Sequence, residues 1–280
     1  ACMYPEHNQL DPDNPDAYIN LGISKRKNGD EKGSCISYIK AISLGDKPTK
    51  QWFHSKDGIW CKNMADNYII TGINKAKDND YVNAINDFNS ALEIDPNNIL
   101  ALSIRGLEKS KMSDYQGAIK DYSKILEIKP DDFQTYNDRG IVKRFSLDPK
   151  GAIQDFKKAL KFNPEGRKDY YFNIALAKTD LRDYEGAILI YNKLIQEDKH
   201  DSTLYQNRGW NKIQLKDFIS ASQDLNKAIG IDPNDPFKYR WRGEAKKGIG
   251  DLKGACKDWS IATNLGDTFN GRKLLEEHCK

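Results

Sequence analysis

Five cysteines, four histidines and a recurrent Arg/Lys pair carry most of the reactive chemistry in this 280-residue chain. The cysteines are Cys2, Cys35, Cys61, Cys256 and Cys279, and none forms a CxxC. That spacing supports neither a zinc site nor a dithiol redox centre. The histidines His7, His54, His200 and His278 are scattered, with none in an HExxH; solvated surface positions suit them better than metal ligation. No nucleophile–base constellation and no phosphate-cradling Gly loop is evident in the sequence. The expectation is a protein that is not an enzyme, with no metal and no cofactor.

The basic pair has a fixed surrounding. YNDRGIVK (136–143) returns as YQNRGWNK (205–212), YRWRGEAK (239–246) and LSIRGLEK (102–109). The Gly and the last Lys share one helix face with the residue that opens each run. An Arg beside that face can grip a carboxylate through two parallel bonds. An Asp follows each of these arginines at a constant offset, which predicts pairs Arg105–Asp121, Arg139–Asp155, Arg208–Asp224 and Arg242–Asp258. Where Arg is replaced by Ile174, the Asp is replaced by Ile190; Thr71/Asp87 breaks the correlation. The lysine does not track the Asp, since Lys178 belongs to the unit with two isoleucines. It reads as a stem packed on its neighbour with a wet charge, or as a basic ladder for acidic ligands.

Those residues must be positioned by a repeating element. Gly72, Gly106, Gly140, Gly209 and Gly243, with Ala175 filling the gap, follow one another at spacings of 34 or 35. Ala84, Ala118, Ala152, Ala187, Ala221 and Ala255 keep the same step, each followed four residues on by Phe88, Tyr122, Phe156, Tyr191, Leu225 or Trp259. Pro96, Pro130, Pro164 and Pro233 close four of the units. Each unit reads as two amphipathic helices joined by a short turn, with small residues allowing close approach and the large one filling the space between neighbouring units. A single hairpin cannot bury its apolar face alone, so the units must stack.

The pattern resembles the tetratricopeptide repeat (TPR) family: the small residue, A-x3-F and Pro recur as Gly72, Ala84, Phe88 and Pro96. GACKDW (254–259), LGD (265–267) and Cys279 are similar to the last repeat of TPR proteins from the Bacteroidetes group. The resemblance implies an all-α, right-handed α-solenoid of about seven hairpins with a C-terminal capping helix. The expected division is a tether at 1–14, repeats at 15–46, 66–98, 99–132, 133–166, 167–201, 202–235 and 236–267, and a cap at 268–280. Between the first two repeats, 47–65 carries Trp52, Phe53, Ile59 and Trp60 and reads as a helix or packed loop over the first repeat, or as an aromatic ligand grip. In the cap, Phe269, Leu274 and Leu275 would cover the last repeat.

In that family the first helices line a concave face where peptides or partner proteins lie. The resemblance places Ile23, Ile73, Leu107, Ile141, Leu176 and Trp210 on it, with Phe172, Trp241, Asn137, Asn173, Asn207 and Arg240 nearby. The apolar stripe could take side chains and the amides a peptide backbone; packing against adjacent helices is the competing reading. The Lys/Asn/Arg set that clamps chaperone C-termini in one subgroup does not occur here. The expected function is a non-catalytic scaffold for a protein or peptide, with no small-molecule substrate. An accessory subunit of an envelope lipoprotein assembly, an enzyme subunit and an RNA-binding solenoid are the alternatives.

Cys35 and Cys256 hold the same repeat position, and both end units finish in LGD and are followed by a segment carrying Cys61 or Cys279. Disulfides Cys35–Cys61 and Cys256–Cys279 are therefore expected, against free semi-buried thiols. ACMYPEHNQ (1–9) resembles the start of a mature bacterial lipoprotein, with Cys2 as the lipid-bearing thiol; this favours a cell-envelope location over a cytoplasmic one and limits membrane contact to that anchor. A net charge of +3, with 30% charged residues, argues against nucleic acid as a main partner. No apolar run is long enough to span a membrane. The oligomeric state is left open.

Overall fold

The computed structural model describes residues 11–55, 58–268 and 270–279, and among them it forms sixteen α-helices and one short 3-10 turn. They fall into two compact units, 1–131 and 132–280. Unit one holds α1 (Pro15–Lys27), α2 (Glu31–Ser43), α3 (Lys47–Phe53), α4 (Ile59–Lys77), α5 (Tyr81–Ile94), α6 (Ile99–Lys111) and α7 (Tyr115–Ile128). Unit two holds α8 (Phe133–Phe145), α9 (Pro149–Phe162), α10 (Arg167–Asp180), α11 (Tyr184–Glu197), α12 (Ser202–Gln214), α13 (Phe218–Ile231), α14 (Pro236–Gly248), α15 (Leu252–Asn264) and α16 (Asn270–His278). Within each unit successive helices pair as antiparallel hairpins, an all-α solenoid arrangement.

Local chemistry cuts the chain into these rods. Each second helix opens on an Asp N-cap: Asp30, Asp80, Asp114, Asp148, Asp183, Asp217 and Asp251 each accept from a backbone N–H in the first turn. The residue before that Asp is left-handed in every hairpin. Gly29 and Gly250 suit this backbone, whereas Asn79, Ser113, Leu147, Arg182 and Lys216 adopt it at φ of 60–64°. The second helices α5, α7, α9, α11 and α13 end within three residues of Asp95, Lys129, Asn163, Asp198 and Asp232, and proline follows four of these caps.

The small residue and the large residue meet inside one hairpin. A Cβ added at Gly72 would lie 2.7 Å from the Phe88 ring, at Gly140 2.6 Å from Phe156, and at Gly243 2.4 Å from Trp259. All three of those large side chains are fully buried. The sequence reading put the large residue between neighbouring units; its ring is instead seated on the small residue of its own hairpin. Neighbours contribute other contacts, as in the cluster of Ala187, Tyr191, Ile195, Leu204 and Tyr205 from α11 and α12.

The 47–65 insert divides at Gly58. Its first part is α3, whose Trp52 stands 4.8 Å from Tyr38 between ring centroids. Its second part is the start of α4, so the expected boundary at 65/66 falls inside one continuous helix. Phe53, Trp60 and Met64 pack against Cys35, Cys61, Ala65 and Ile94, an apolar cluster rather than an open aromatic grip. The structure brings the sulfurs of Cys35 and Cys61 to 2.06 Å and those of Cys256 and Cys279 to 2.03 Å, disulfide bonding distance. At the other end α16 lies against α15, with Leu274 and Leu275 half-buried. Phe269 and Cys2 lie outside the described residues.

Candidate functional site

The arginines of the repeat reach the aspartates of the paired helix. Arg105 Nε donates to Asp121 Oδ2 at 2.9 Å and Arg139 Nε to Asp155 at 2.9 Å, while Arg208 to Asp224 and Arg242 to Asp258 each span 2.8 Å. A second guanidinium nitrogen bonds the other carboxylate oxygen in every case. The lysine reading needs correction. Lys109, Lys143, Lys212 and Lys246 bond the same aspartates at 2.8–2.9 Å, and Lys75 bonds Asp87 at 2.6 Å. Lys178, with Ile190 opposite, turns instead to the N-cap Asp183. In four repeats the lysine is thus spent on a buried carboxylate and is no part of a free ladder. Sequence reasoning also missed an asparagine bracket: Asn89, Asn192 and Asn226 accept from the third guanidinium nitrogen of Arg105, Arg208 and Arg242, tying one hairpin to the next. Asn192 and Asn226 recur one repeat apart, so the signal was present in the period.

What remains for a partner is the face of the first helices. In unit one it exposes Ile23 and Leu107, with Ile73 half-buried. In unit two it runs over α8, α10, α12 and α14. Here the structure distributes the expected residues unevenly. Ile141 packs on the cluster of Phe156 and Ile174, and Phe172 packs edge-on to Tyr191 at 6.1 Å. Leu176 is half-buried. Asn173 Nδ2 donates to Asn137 Oδ1 at 3.0 Å, and Asn207 Nδ2 donates to the Thr203 carbonyl. These amides are partly used, because each still has a second donor hydrogen or lone pair. Arg240 is no free groove cation: its Nη1 bonds Asp267 at 2.9 Å, and Asp267 is buried in the segment entering α16. Beside Asn137, burial pushes the Asp138 carboxyl above its ordinary value, partly offset by a bond from Gln134 Nε2.

The expected aromatic residues of α12 and α14 do come together. Trp210 and Trp241 stack at 5.0 Å between ring centroids, 28° from parallel, with Phe237 at 6.5 Å from Trp241. They floor an open cleft of about 440 Å³ walled by Gln214 and Glu244 on one side and by Asn270, Lys273 and Glu277 of α16 on the other. The cleft combines an apolar base with polar groups at its rim, the composition of a side-chain subsite. The capping helix therefore builds part of the site, which the sequence reading treated as a cover alone. Among the described residues no group of three or more metal-ligating side chains is gathered.

Comparison with known proteins agrees with this architecture. Residues 168–201 and 202–235 match the family model of the tetratricopeptide repeat. No curated protein matches the chain at the sequence level. A tetratricopeptide repeat protein from Parabacteroides merdae is similar in structure, with a TM-score of 0.63, 20% identity and coverage of 95% of this chain and 99% of that one. PilW, a type IV pilus biogenesis factor, aligns with a TM-score of 0.65 at 16% identity, covering 77% of this chain and 98% of its own. YrrB, a TPR protein with an unusual peptide-binding site, aligns at 0.50 and 16% identity, covering 68% and 97%. The chain carries tetratricopeptide repeats at 168–235 and shares the all-α solenoid fold of these proteins.

Proposed function

We propose that the chain is a non-catalytic interaction scaffold whose unit two holds an extended peptide segment across α8, α10, α12 and α14. The Trp210–Trp241 cleft carries this reading: two half-buried indoles stack at its base, beneath a polar rim. Indoles supply large contact area at small entropic cost and dominate many interfaces. The spare capacity of Asn137, Asn173 and Asn207 would serve the peptide backbone. Glu244 favours a basic side chain in the cleft, since Arg240 is neutralised by Asp267 and Glu277 is paired with Lys273 at 3.9 Å along α16. The test is selection of peptides from a display library on the intact protein, followed by affinity measurement against Trp210→Ala and Trp241→Ala. Loss of about tenfold or more in either variant is expected. Peptides that bind both variants as tightly as the parent would defeat the proposal.

The cysteine geometry favours an oxidising compartment. Two pairs at bonding distance, one at each end of the fold, would persist only outside a reducing cytosol. That fits a cell-envelope scaffold, and a lipidated Cys2 belongs to the same proposal. Intact mass of the protein alkylated without reduction would show two disulfides; four alkylated thiols at Cys35, Cys61, Cys256 and Cys279 would contradict it.

A further inference from the structure

One hairpin of unit two lacks the polar bracket of the others. Where Arg139, Arg208 and Arg242 reach a buried aspartate, α10 and α11 place Ile174 and Ile190. A pocket of about 280 Å³ opens beside Ile190, lined also by Arg167, Tyr171, Lys193, Leu194 and Glu197. The corresponding cleft inside unit one is lined by Asn89, Glu93, Arg105, Lys120, Asp121 and Lys124, among others. The same repeat positions in unit two carry Lys157, Lys161, Ile174, Leu189, Ile190 and Lys193. Two acids and an amide have given way to lysine or isoleucine, and a lysine to Leu189, which is 64% exposed. Exchange of a buried ion pair for two isoleucines is close to neutral for stability. It does not account for an apolar lip and a lysine wall around the same space.

The charge left over is positive. The described carboxylates nearby are mostly taken: Asp155 by Arg139 and Lys143, Glu197 by Arg167 at 3.4 Å, and Asp198 by Lys168. At the other end of the hairpin Asp180 and Asp183 are bound by Arg144 and Lys178. Asp169, two residues before Tyr171, and Glu185, five before Ile190, lie on the far sides of α10 and α11. Glu165, in the turn before α10, remains. Lys161 lies over the Phe162 ring at 5.7 Å, and among the described residues no carboxylate pairs with Lys157, Lys161 or Lys193. Lys157, Lys161, Lys193 and Arg167 thus stand against Glu165 and Glu197, an excess of two positive charges beside an aliphatic floor that screens them poorly.

We propose that this cleft, between the second helices α9 and α11, docks an acidic segment of a partner protein: one large apolar side chain enters the pocket and flanking carboxylates meet Lys157, Lys161 and Lys193. The site is separate from the Trp210–Trp241 cleft and does not rest on it. A small molecule fits less well, since the pocket lies below the usual range of about 300–1,000 Å³ for such ligands. A nucleic acid fits less well too, because isoleucine and leucine offer its phosphates nothing and Tyr171 alone could stack on a base.

Fluorescence anisotropy of the full chain tests this with a labelled peptide of glutamate and glycine carrying one central phenylalanine. A counterpart with alanine at the centre is the comparison, and polyuridylate is the competitor. The phenylalanine peptide is expected to bind about tenfold more tightly than its counterpart. Ile174→Arg combined with Ile190→Asp rebuilds the bracket that three other hairpins of unit two carry, with Lys178 placed as Lys143 and Lys212 are. That variant keeps the fold, fills the pocket and is expected to lose about tenfold in affinity. Lys157→Gln combined with Lys161→Gln leaves the core untouched and should weaken binding about fivefold, and Lys193→Gln about threefold. Lys227→Gln removes the same charge at the same position of the next hairpin, above the Arg208–Asp224 pair, and is expected to change nothing. No binding by the parent protein, equal affinity for the two peptides, or equal weakening by Lys193→Gln and Lys227→Gln would overturn the proposal. Displacement of the peptide by polyuridylate at matched charge would assign the cleft to nucleic acid and overturn it as well.

Discussion

A carboxylate with 1–7% of its side chain exposed must have its charge answered at close range, as Asp121, Asp155, Asp224 and Asp258 do. Each meets a forked guanidinium and a lysine, and three of the arginines reach an asparagine of the preceding hairpin. Removing one partner leaves charge behind in a poorly hydrated place. Arg208→Ala is therefore expected to destabilise the protein by about 3 kcal/mol, read as a shift in the urea midpoint. Arg208→Lys should recover little, because an ammonium cannot bridge Asp224 and Asn192 together. An unchanged midpoint in Arg208→Ala would show that Lys212 satisfies Asp224 unaided. Asp138 has the opposite sign. Burial lifts its folded value above the unfolded one, so the native state holds the extra proton. Stability falls as pH rises from about 4 through the raised value and stays reduced above it. Asp138→Asn should raise the unfolding midpoint at pH 7 and change it little at pH 3. A loss at pH 7 would point instead to a needed carboxylate.

At the level of a hairpin, helix propensity and packing make opposing demands on the small residue. Alanine in a helix interior is favoured over glycine by about 1 kcal/mol. Gly243 cannot accept it, since the new methyl would meet the Trp259 indole at 2.4 Å and that ring is fully buried. Gly243→Ala is expected to cost about 2 kcal/mol, whereas Gly209→Ala, facing Leu225 at 3.0 Å, should be near neutral. Thermal unfolding of the two variants side by side checks the order, and equal shifts would mean that the indole moves aside. Ala175 already occupies this site opposite Tyr191, so the demand for glycine depends on the ring below it.

For the molecule as a whole, stability in a stack of hairpins is a sum over neighbours, and its ends are the weak points. The cysteine pairs close loops of 26 and 23 residues, each contributing about 3 kcal/mol in the chain-entropy account. Reduction should therefore open the ends before the middle. Hydrogen exchange after reduction is expected to lose protection in α2–α4 and in α15–α16, with α10–α13 unchanged. Uniform loss along the chain would mean that the units unfold as one body.

The chain by itself determined the hairpin count, the turn and cap chemistry and the Arg–Asp partners, because each recurs every 34 or 35 residues and the repeats align one another. Asn192 and Asn226 were legible by the same device and went unread. The tertiary structure alone decided what is not periodic. Arg240 binds Asp267 only because the last hairpin is followed by a cap, and α16 walls the Trp210–Trp241 cleft for the same reason. The lysines turned inward because a buried carboxylate has more acceptor capacity than one guanidinium fills. Phe172 and Ile141 lean half-buried onto the core because helix spacing states which side a residue is on, not how deeply its neighbours cover it.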